Sequence, residues 1–290
     1  MPDHVVGGSS RRFDIIKVGF IGFGEVASTM ASRLLAMGVE VLTATKSRSE
    51  RTRKLAHDLG VSECDDIREV SRKSDIVISA VTPGVAVKVA KKVGDHVKGV
   101  YVDINNVAPS TVKEALSHIR NGRVVDAAIM GRITRDLRVK ILASGDSAHE
   151  FARLNDYGFN IEVGSGRVGD ASALKMLRSS YTKGVSALLW ETLLAAYSMG
   201  LDEDLLEILE ETEGEGFRER AISRVMSLAF HSKRRYEEMK DVESFLSENI
   251  TPIMLKCTSK IFKEIIMGLD DLGRSFEDYS MIFDHIKRSL

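Results

Sequence analysis

The chain has 290 residues, 43% of them hydrophobic and 29% charged. That composition is ordinary for a soluble globular protein of one or two domains and is ample for a full core. The formal net charge of −1 gives no electrostatic reason to expect nucleic acid or a membrane surface as partner.

In chain order, residues 1–12 lack the apolar centre of a signal peptide and read as a flexible polar arm. Short apolar, β-branched runs then alternate with helical patterns. Strands are expected at Ile15–Ile21, Val39–Ala44, Asp75–Val81, Gly99–Ile104 and Arg123–Ile129, with two more at Lys140–Ala143 and Asn160–Val163. Amphipathic helices fit between several of them, at Glu25–Met37, Arg48–Leu59, Val85–Lys92 and Pro109–Ile119. Strands and helices alternating at this spacing argue for βαβ units and a parallel sheet.

Near Gly164–Gly169 the character changes to helix almost to the end. A long helical run covers Asp170–Gly200, a second covers Leu201–Thr212, and Gly214-Glu215-Gly216 interrupts the pattern. Arg218–Asn249 is helical again, and Pro252 opens a last major helix. The expected fold class is α/β, a Rossmann-type, mostly parallel sheet over residues 13–167 followed by an all-helical domain over residues 168–290. The most apolar helical stretch, Ala187–Leu201, contains Glu191, so no membrane span is expected and the default location is the cytoplasm. Trp190, Leu188, Leu189, Leu193 and Leu194 read as core or subunit interface. Cys64 and Cys257 are far apart in sequence, which argues against a disulfide framework or a cysteine metal site, and no metal is expected.

The most specific local pattern is Gly22-Phe23-Gly24-Glu25-Val26-Ala27, directly after the first strand and opening a helix. In a G-x-G-x-x-A turn the first glycine permits the tight turn and the second lets the backbone approach a diphosphate. The small alanine allows close helix–strand packing, and the diphosphate meets the unpaired N–H groups of the helix. The bland alternative is a glycine-rich turn with no ligand. Glu25 places an anion beside the expected diphosphate, and its role stays open. At the end of the second strand, Thr43-Ala44-Thr45-Lys46-Ser47-Arg48-Ser49 has no acid before Glu50. An NAD site usually carries an acid there, whereas hydroxyls and cations suit a 2′-phosphate, so NADP is the expected cofactor. A solvated loop with incidental charge is the competing reading.

Lys17–Ala27 resembles the opening of the β-hydroxyacid dehydrogenase and 6-phosphogluconate dehydrogenase superfamily, in a little-characterised archaeal branch with a shortened helical C-terminal domain. Four further segments match in order. Val81-Thr82-Pro83 corresponds to the loop that covers the nicotinamide side. Asp103-Ile104-Asn105-Asn106-Val107-Ala108-Pro109 resembles the family's Asp-x-Ser-Thr-x-x-Pro stretch. Val125-Asp126-Ala127-Ala128-Ile129-Met130-Gly131 resembles the substrate-binding Asp-Ala-Pro-Val-Ser-Gly-Gly segment. Gly169-Asp170-Ala171-Ser172-Ala173-Leu174-Lys175 resembles the motif that carries the catalytic lysine.

The resemblance implies an NADP-dependent oxidoreductase of 3-hydroxyacid dehydrogenase type, a small-molecule substrate and a homodimer. Lys175 is then the general acid and base, since an ammonium beside the reacting oxygen can donate its proton and stabilise alkoxide charge. Cofactor contacts fall to Gly22, Phe23, Gly24, Glu25, Val26, Thr43, Thr45, Lys46, Ser47, Arg48, Val81, Thr82, Pro83 and Asn105. Substrate contacts fall to Asn106, Met130, Gly131, Arg178, Ser179, His231 and Arg235. At helical spacing Arg178, Ser179 and Thr182 share the face of Lys175; a solvated surface stripe is the competing reading.

The sequence also departs from the family. Arg178 and Ser179 stand where an Asn pair usually follows the lysine, Asn105-Asn106 replaces Ser-Thr, and Met130-Gly131-Arg132 replaces Ser-Gly-Gly. Arg132 and Arg178 would suit an anionic substrate, a hydroxy or keto acid. His231, Arg234, Arg235 and Glu238 share a helical face. That face reads more readily as solvated ion pairs than as a contribution to the substrate cleft. A catalytically silent NADP-binding sensor or regulatory protein, and an imine reductase, are the competing functions.

Overall fold

The computed structural model describes residues 16–164, 166–269 and 276–289. The polar arm expected over residues 1–12 lies outside the described residues. The chain divides into two compact units, the first ending at Ser172 and the second beginning at Ala173.

The first unit is an eight-stranded sheet. Its strands are β1 (Lys17–Ile21), β2 (Glu40–Thr43), β3 (Ser62–Glu63), β4 (Ile76–Ser79), β5 (Val100–Asp103), β6 (Arg123–Ile129), β7 (Ile141–Ser144) and β8 (Ile161–Val163). They lie in the order β3-β2-β1-β4-β5-β6-β7-β8. Every neighbouring pair is parallel except β6 and β7. The first six strands follow the doubly wound Rossmann order, which reverses direction on either side of β1.

The helices of this unit are α1 (Glu25–Ala36), α2 (Glu50–Asp58), α3 (Ile67–Lys73), α4 (Ala86–Val93), α5 (Pro109–Ser117) and α6 (Ala148–Ala152). They cover both faces. Val18, Phe20, Ile76, Ile78, Val100 and Val102 pack with Met30, Leu34 and Phe151 of α1 and α6. The intervening Ile21, Val77 and Tyr101 pack on the other face with Val70, Val89, Ala90, Val112 and Leu116 of α3, α4 and α5. Central strands apolar on both faces are what a covered parallel sheet requires.

β3, α3 and α6 are additions to the elements expected from the sequence. Both residues of β3 are exposed, so it has no apolar run. Helix α3 has seven residues, four of them charged, and starts because Asp66 accepts from the N–H groups of Arg68 and Glu69 at 2.8 and 2.9 Å. Helix α6 is five residues long.

Helix α7 (Asp170–Met199) leaves the first unit and runs into the second. The second unit continues with α8 (Asp202–Glu213), α9 (Phe217–Ser247), α10 (Ile253–Leu269) and α11 (Tyr279–Ser289). Gly214 and Gly216 both have positive φ between α8 and α9, as the expected break requires. Helix α11 follows the helix opened by Pro252 and is an addition to the expected set. Leu193, Leu206, Val225, Leu228, Phe262 and Phe283 are fully buried in this unit, and Trp190 meets Phe283 edge-on at 5.2 Å. Leu189 and Trp190 are core, whereas Leu188 is exposed. Among the described residues no helix is long and apolar enough to cross a membrane.

Candidate functional site

The carboxyl ends of β1, β2, β4, β5 and β6 bring five expected segments to one edge of the sheet. Gly22 to Val26 follow β1, Thr45 to Arg48 follow β2, and Val81 to Pro83 follow β4. Asn105 and Asn106 follow β5, and Met130 and Gly131 follow β6. The crevice outside the carboxyl ends, where strand order reverses, is where open α/β sheets bind ligands.

The two glycines after β1 have different reasons to be there. Gly22 has φ +88°, and a Cβ added to it would lie 2.3 Å from the carbonyl oxygen of Ala80 and 2.9 Å from Val81. The fold itself demands that glycine. Gly24 has φ −93°, and a Cβ there would meet nothing within 4 Å. No contact among the described residues calls for its bare backbone. Gly24 is also the N-cap of α1 and no side chain caps the helix, so the first N–H groups are available to an anion. Ala27 is fully buried against the sheet. This cradle fits a dinucleotide diphosphate. The ring of Phe23 is buried edge-on to Phe20 at 6.2 Å, so only its backbone faces the turn. Val26 is half-buried against the core, and Glu25 is exposed.

At the tip of β2 the expected phosphate ligands divide into two groups. The Thr43 hydroxyl is buried and donates to the carbonyl of Phe20 at 3.0 Å. Glu63, from β3, accepts from the backbone N–H of Thr45 at 3.2 Å and from the Thr45 hydroxyl. Lys46 pairs with exposed Asp65, which raises the ammonium and lowers the carboxyl from their ordinary values. Ser47 and Arg48 are exposed, and among the described residues neither side chain has a partner. The backbone N–H of Arg48 donates to Thr45 at 2.8 Å and closes the turn. Glu63 and Asp65 escape a reading of β2 alone, because they arrive with the two-residue strand β3.

The β4 and β5 ends are tied together by Asn105. Its Oδ1 accepts from the N–H of Val81 at 2.7 Å, and its Nδ2 donates to the Ser79 hydroxyl at 3.2 Å. Asn105, expected as a cofactor contact, therefore spends its side chain positioning the loop Val81-Thr82-Pro83. Thr82, Pro83, Asn106 and Gly131 are exposed, and Met130 is half-buried.

Behind this edge lie two buried carboxyl groups in register, Asp103 of β5 and Asp126 of β6. Asp126 accepts from the Ser172 hydroxyl at 2.6 Å, from the Ser172 N–H at 3.0 Å and from the Ser144 hydroxyl at 3.1 Å. Burial nevertheless raises it. Asp103 accepts from the N–H of Asn105 at 3.0 Å, while its Oδ2 has no hydrogen-bond partner among the described residues. Burial pushes Asp103 up to about 6, and the charge of Asp126 adds to the effect. Tyr101, buried on β5, is raised by burial and then by Asp103.

Lys175, Arg178, Ser179, His231 and Arg235 lie on the helical unit. Lys175 and Ser179 are half-buried on α7, whereas Arg178 and His231 are exposed. One residue absent from the sequence expectation joins this face. Lys183 of α7 is 12% exposed and pairs with Glu238 of α9 at 2.7 Å. It also donates to the Ser179 hydroxyl. Its spacing of i+4 from Ser179 and i+8 from Lys175 is the signal that could have found it. Among the described residues no group of three or more His, Cys, Asp or Glu could hold a metal ion.

Two predictions follow from this geometry. Gly24→Ala leaves the melting temperature close to wild type but weakens nucleotide binding at least tenfold, while Gly22→Ala costs about 2 kcal/mol or more of stability. Calorimetric titration and thermal melts separate the two, and a Gly24→Ala protein that binds nucleotide normally would refute the cradle. The second concerns Asp103. Its raised folded value means that between about pH 4 and 6 the folded state holds a proton the unfolded chain has released. Stability therefore falls as pH rises through that window. Asp103→Asn lacks this cost, so its stability relative to wild type increases by about 1–3 kcal/mol from pH 4 to pH 7. Urea denaturation at the two pH values measures it, and a constant difference would show that Asp103 stays ionised.

Residues 17–107 match the family described as NADP oxidoreductase, coenzyme F420-dependent, and residues 196–265 match a domain of unknown function. An uncharacterised 28.5 kDa protein of Methanothermus fervidus is 50% identical over 251 residues, 86% of this chain and 99% of that protein. Glyoxylate/succinic semialdehyde reductase 1 of Arabidopsis thaliana is 25% identical over 299 residues, 94% of this chain and 99% of the plant protein. A solved structure of a conserved protein of unknown function, described as structurally similar to 3-hydroxyacid dehydrogenases, is 56% identical with a TM-score of 0.82. That match covers 87% of this chain and 97% of the solved one. With its sheet order, glycine turn and helical second unit, the chain belongs to the 3-hydroxyacid dehydrogenase-like proteins of the β-hydroxyacid and 6-phosphogluconate dehydrogenase superfamily, oxidoreductases that use a pyridine nucleotide.

Proposed function

We propose that the protein is an NADP-dependent oxidoreductase that moves a hydride to or from a small anionic hydroxy or keto acid, with Lys175 as general acid and base. The observation that carries this reading is the contrast between the two glycines. Gly22 is required by the neighbouring strand end, whereas the bare backbone of Gly24 serves no contact among the described residues. A diphosphate over the uncapped start of α1 gives it a purpose.

The preference for NADP rests on the tip of β2. The acids near that tip are engaged, Glu63 by Thr45 and Asp65 by Lys46. Arg48 remains as a cation without a protein partner among the described residues, and Ser47 stands beside it. A guanidinium suits a 2′-phosphate by geometry and by charge. Thr45 and Lys46 support this turn through their own partners, and Thr43 acts within the sheet.

NADPH, when bound, supplies the hydride. As a carbonyl carbon gains that hydride its oxygen gains charge, and the Lys175 ammonium gives that oxygen a proton. In the opposite direction the amine takes the proton back. Asn106 and the N–H of Gly131 are exposed at the sheet edge and offer hydrogen bonds to a polar substrate. Arg132 and Arg178 favour an anion. The plant relative is named for glyoxylate and succinic semialdehyde, each of which carries both a carboxylate and a reducible aldehyde. A silent nucleotide-binding protein is the second reading, favoured by Arg178 and Ser179 in place of the family's Asn pair.

Arg48→Ala should weaken NADPH binding about ten- to a hundredfold while leaving NADH nearly unchanged, the worth of one charge-assisted hydrogen bond. Fluorescence titration with both nucleotides tests it, and parallel losses would remove Arg48 from the phosphate site. Lys175→Met should retain NADPH binding and lose at least about a hundredfold in turnover in a screen of keto acids and aldehyde acids. Undiminished turnover would sink the mechanism. A wild type that binds NADPH but turns over nothing would favour the silent reading.

A further inference from the structure

Within the helical unit, α7 and α9 bring two cations to one carboxylate, and a third cation neighbours it on α9. Glu238 accepts from Lys183 at 2.7 Å and from Arg234 at 2.7 Å, using one oxygen for each. Arg235, the next residue, points elsewhere. One of its amino groups donates to the neutral Ser227 hydroxyl at 2.7 Å, and among the described residues no carboxylate pairs with it. Arg234 is a surface residue, 68% exposed, but Lys183 is 12% exposed and Arg235 is half-buried. Burial lowers both Lys183 and Arg235 below their ordinary values; Glu238 opposes the shift in each, and Arg234 adds to it. The cluster therefore holds a net positive charge partly withdrawn from water. Such a charge costs free energy that a single carboxylate does not offset, and an anionic ligand would supply the missing compensation.

We propose that Lys183 and Arg235 form an anion subsite on the helical unit, which takes a carboxylate or phosphate group of the substrate. Each cation also touches a neutral hydroxyl that can donate to an anion, Ser179 beside Lys183 and Ser227 beside Arg235. Arg235 has a fork of donors of which one is engaged here, and a carboxylate or phosphate can accept from two in parallel. Lys183 lies two turns beyond Lys175 along α7, about 12 Å of helix. The bound group is thus a part of the ligand remote from the reacting carbonyl. Assigning it to a substrate rests on the oxidoreductase reading, whereas the subsite itself requires only binding.

The test is calorimetric titration of the full-length protein, separately with inorganic phosphate and with succinate, at low ionic strength. Saturable binding of at least one is expected, and the stronger of the two identifies the group. Arg235→Gln and Lys183→Met should each weaken it about tenfold or more. Glu238→Gln should tighten it, because the internal competitor for Lys183 is removed. Lys240→Gln, an exposed cation on the same helix, should leave it unchanged. If either cation variant fails to fold by circular dichroism, the opposite-signed Glu238→Gln still decides. Absence of saturable binding of both anions at tens of millimolar would overturn the subsite. So would binding that Arg235→Gln and Glu238→Gln leave unaltered, which would place the anion at the glycine turn instead. Turnover does not enter this readout, so an inactive protein could still confirm the subsite.

Discussion

The carboxylate of Asp126 fixes the architecture around the candidate site. It sits in the sheet beside Asp103, fully withdrawn from water, where an ionised group is expensive unless donors surround it. Ser144 of β7 and both the N–H and hydroxyl of Ser172 supply those donors. The N–H of Ala171 in turn donates to the Ser144 hydroxyl at 3.0 Å. One buried charge thereby joins three elements: β6, its antiparallel neighbour β7, and the first turn of α7. The acid also favours that turn electrostatically, since the start of a helix carries positive partial charge. Asp103 lacks this shell. Its Oδ2 has no partner among the described residues, and burial moves its titration up. The same residue type at facing positions of adjacent strands thus has two environments, set by which donors reach each carboxyl.

Much of the sheet unit is legible in the sequence because covered parallel strands leave a plain signal. β1, β4 and β5 are apolar on both faces and stand out as continuous runs. The glycine turn is legible for a sharper reason: only glycine tolerates φ +88° with a carbonyl 2.3 Å from its missing Cβ. Segments whose stability comes from tertiary partners are not legible in this way. β3 is two exposed residues that exist as a strand because β2 lies alongside. Helix α3 is short and charged, and relies on the cap at Asp66 and on Ile67 and Val70 packing beneath it.

Within the site the limit is different. Residue types point to polar chemistry, but the partner that uses a side chain comes from another element. Asn105 reads as a ligand contact, and it holds the β4 loop. Thr45 and Lys46 read as phosphate ligands, yet β3 and the turn after it deliver Glu63 and Asp65 to them. The number of cations in the loop after β2 therefore overstates the charge available to a ligand. Lys183 stands outside the residues expected from the sequence, because only the position of α9 brings Glu238 to it and draws it partly out of water.

The departures from the family pattern divide, with Asn105 built into the scaffold and Asn106 and Arg178 exposed. The residues that shape the sheet edge are internally constrained: Gly22 by Ala80, Asn105 by Val81 and Ser79, Asp126 by Ser144 and Ser172. Arg178, Asn106 and Gly131 are exposed and carry no such duty. A change at those positions alters what the site can recognise without disturbing the scaffold that presents it. Lys183 and Arg235 combine the two characters. Both are partly withdrawn from water, so they cost the fold something; Lys183 shares Glu238 with Arg234, and Arg235 among the described residues meets the neutral Ser227 hydroxyl rather than a counter-ion. A cation kept at such a cost, with donors still to be filled, is better explained by an incoming anion than by the packing of two helices.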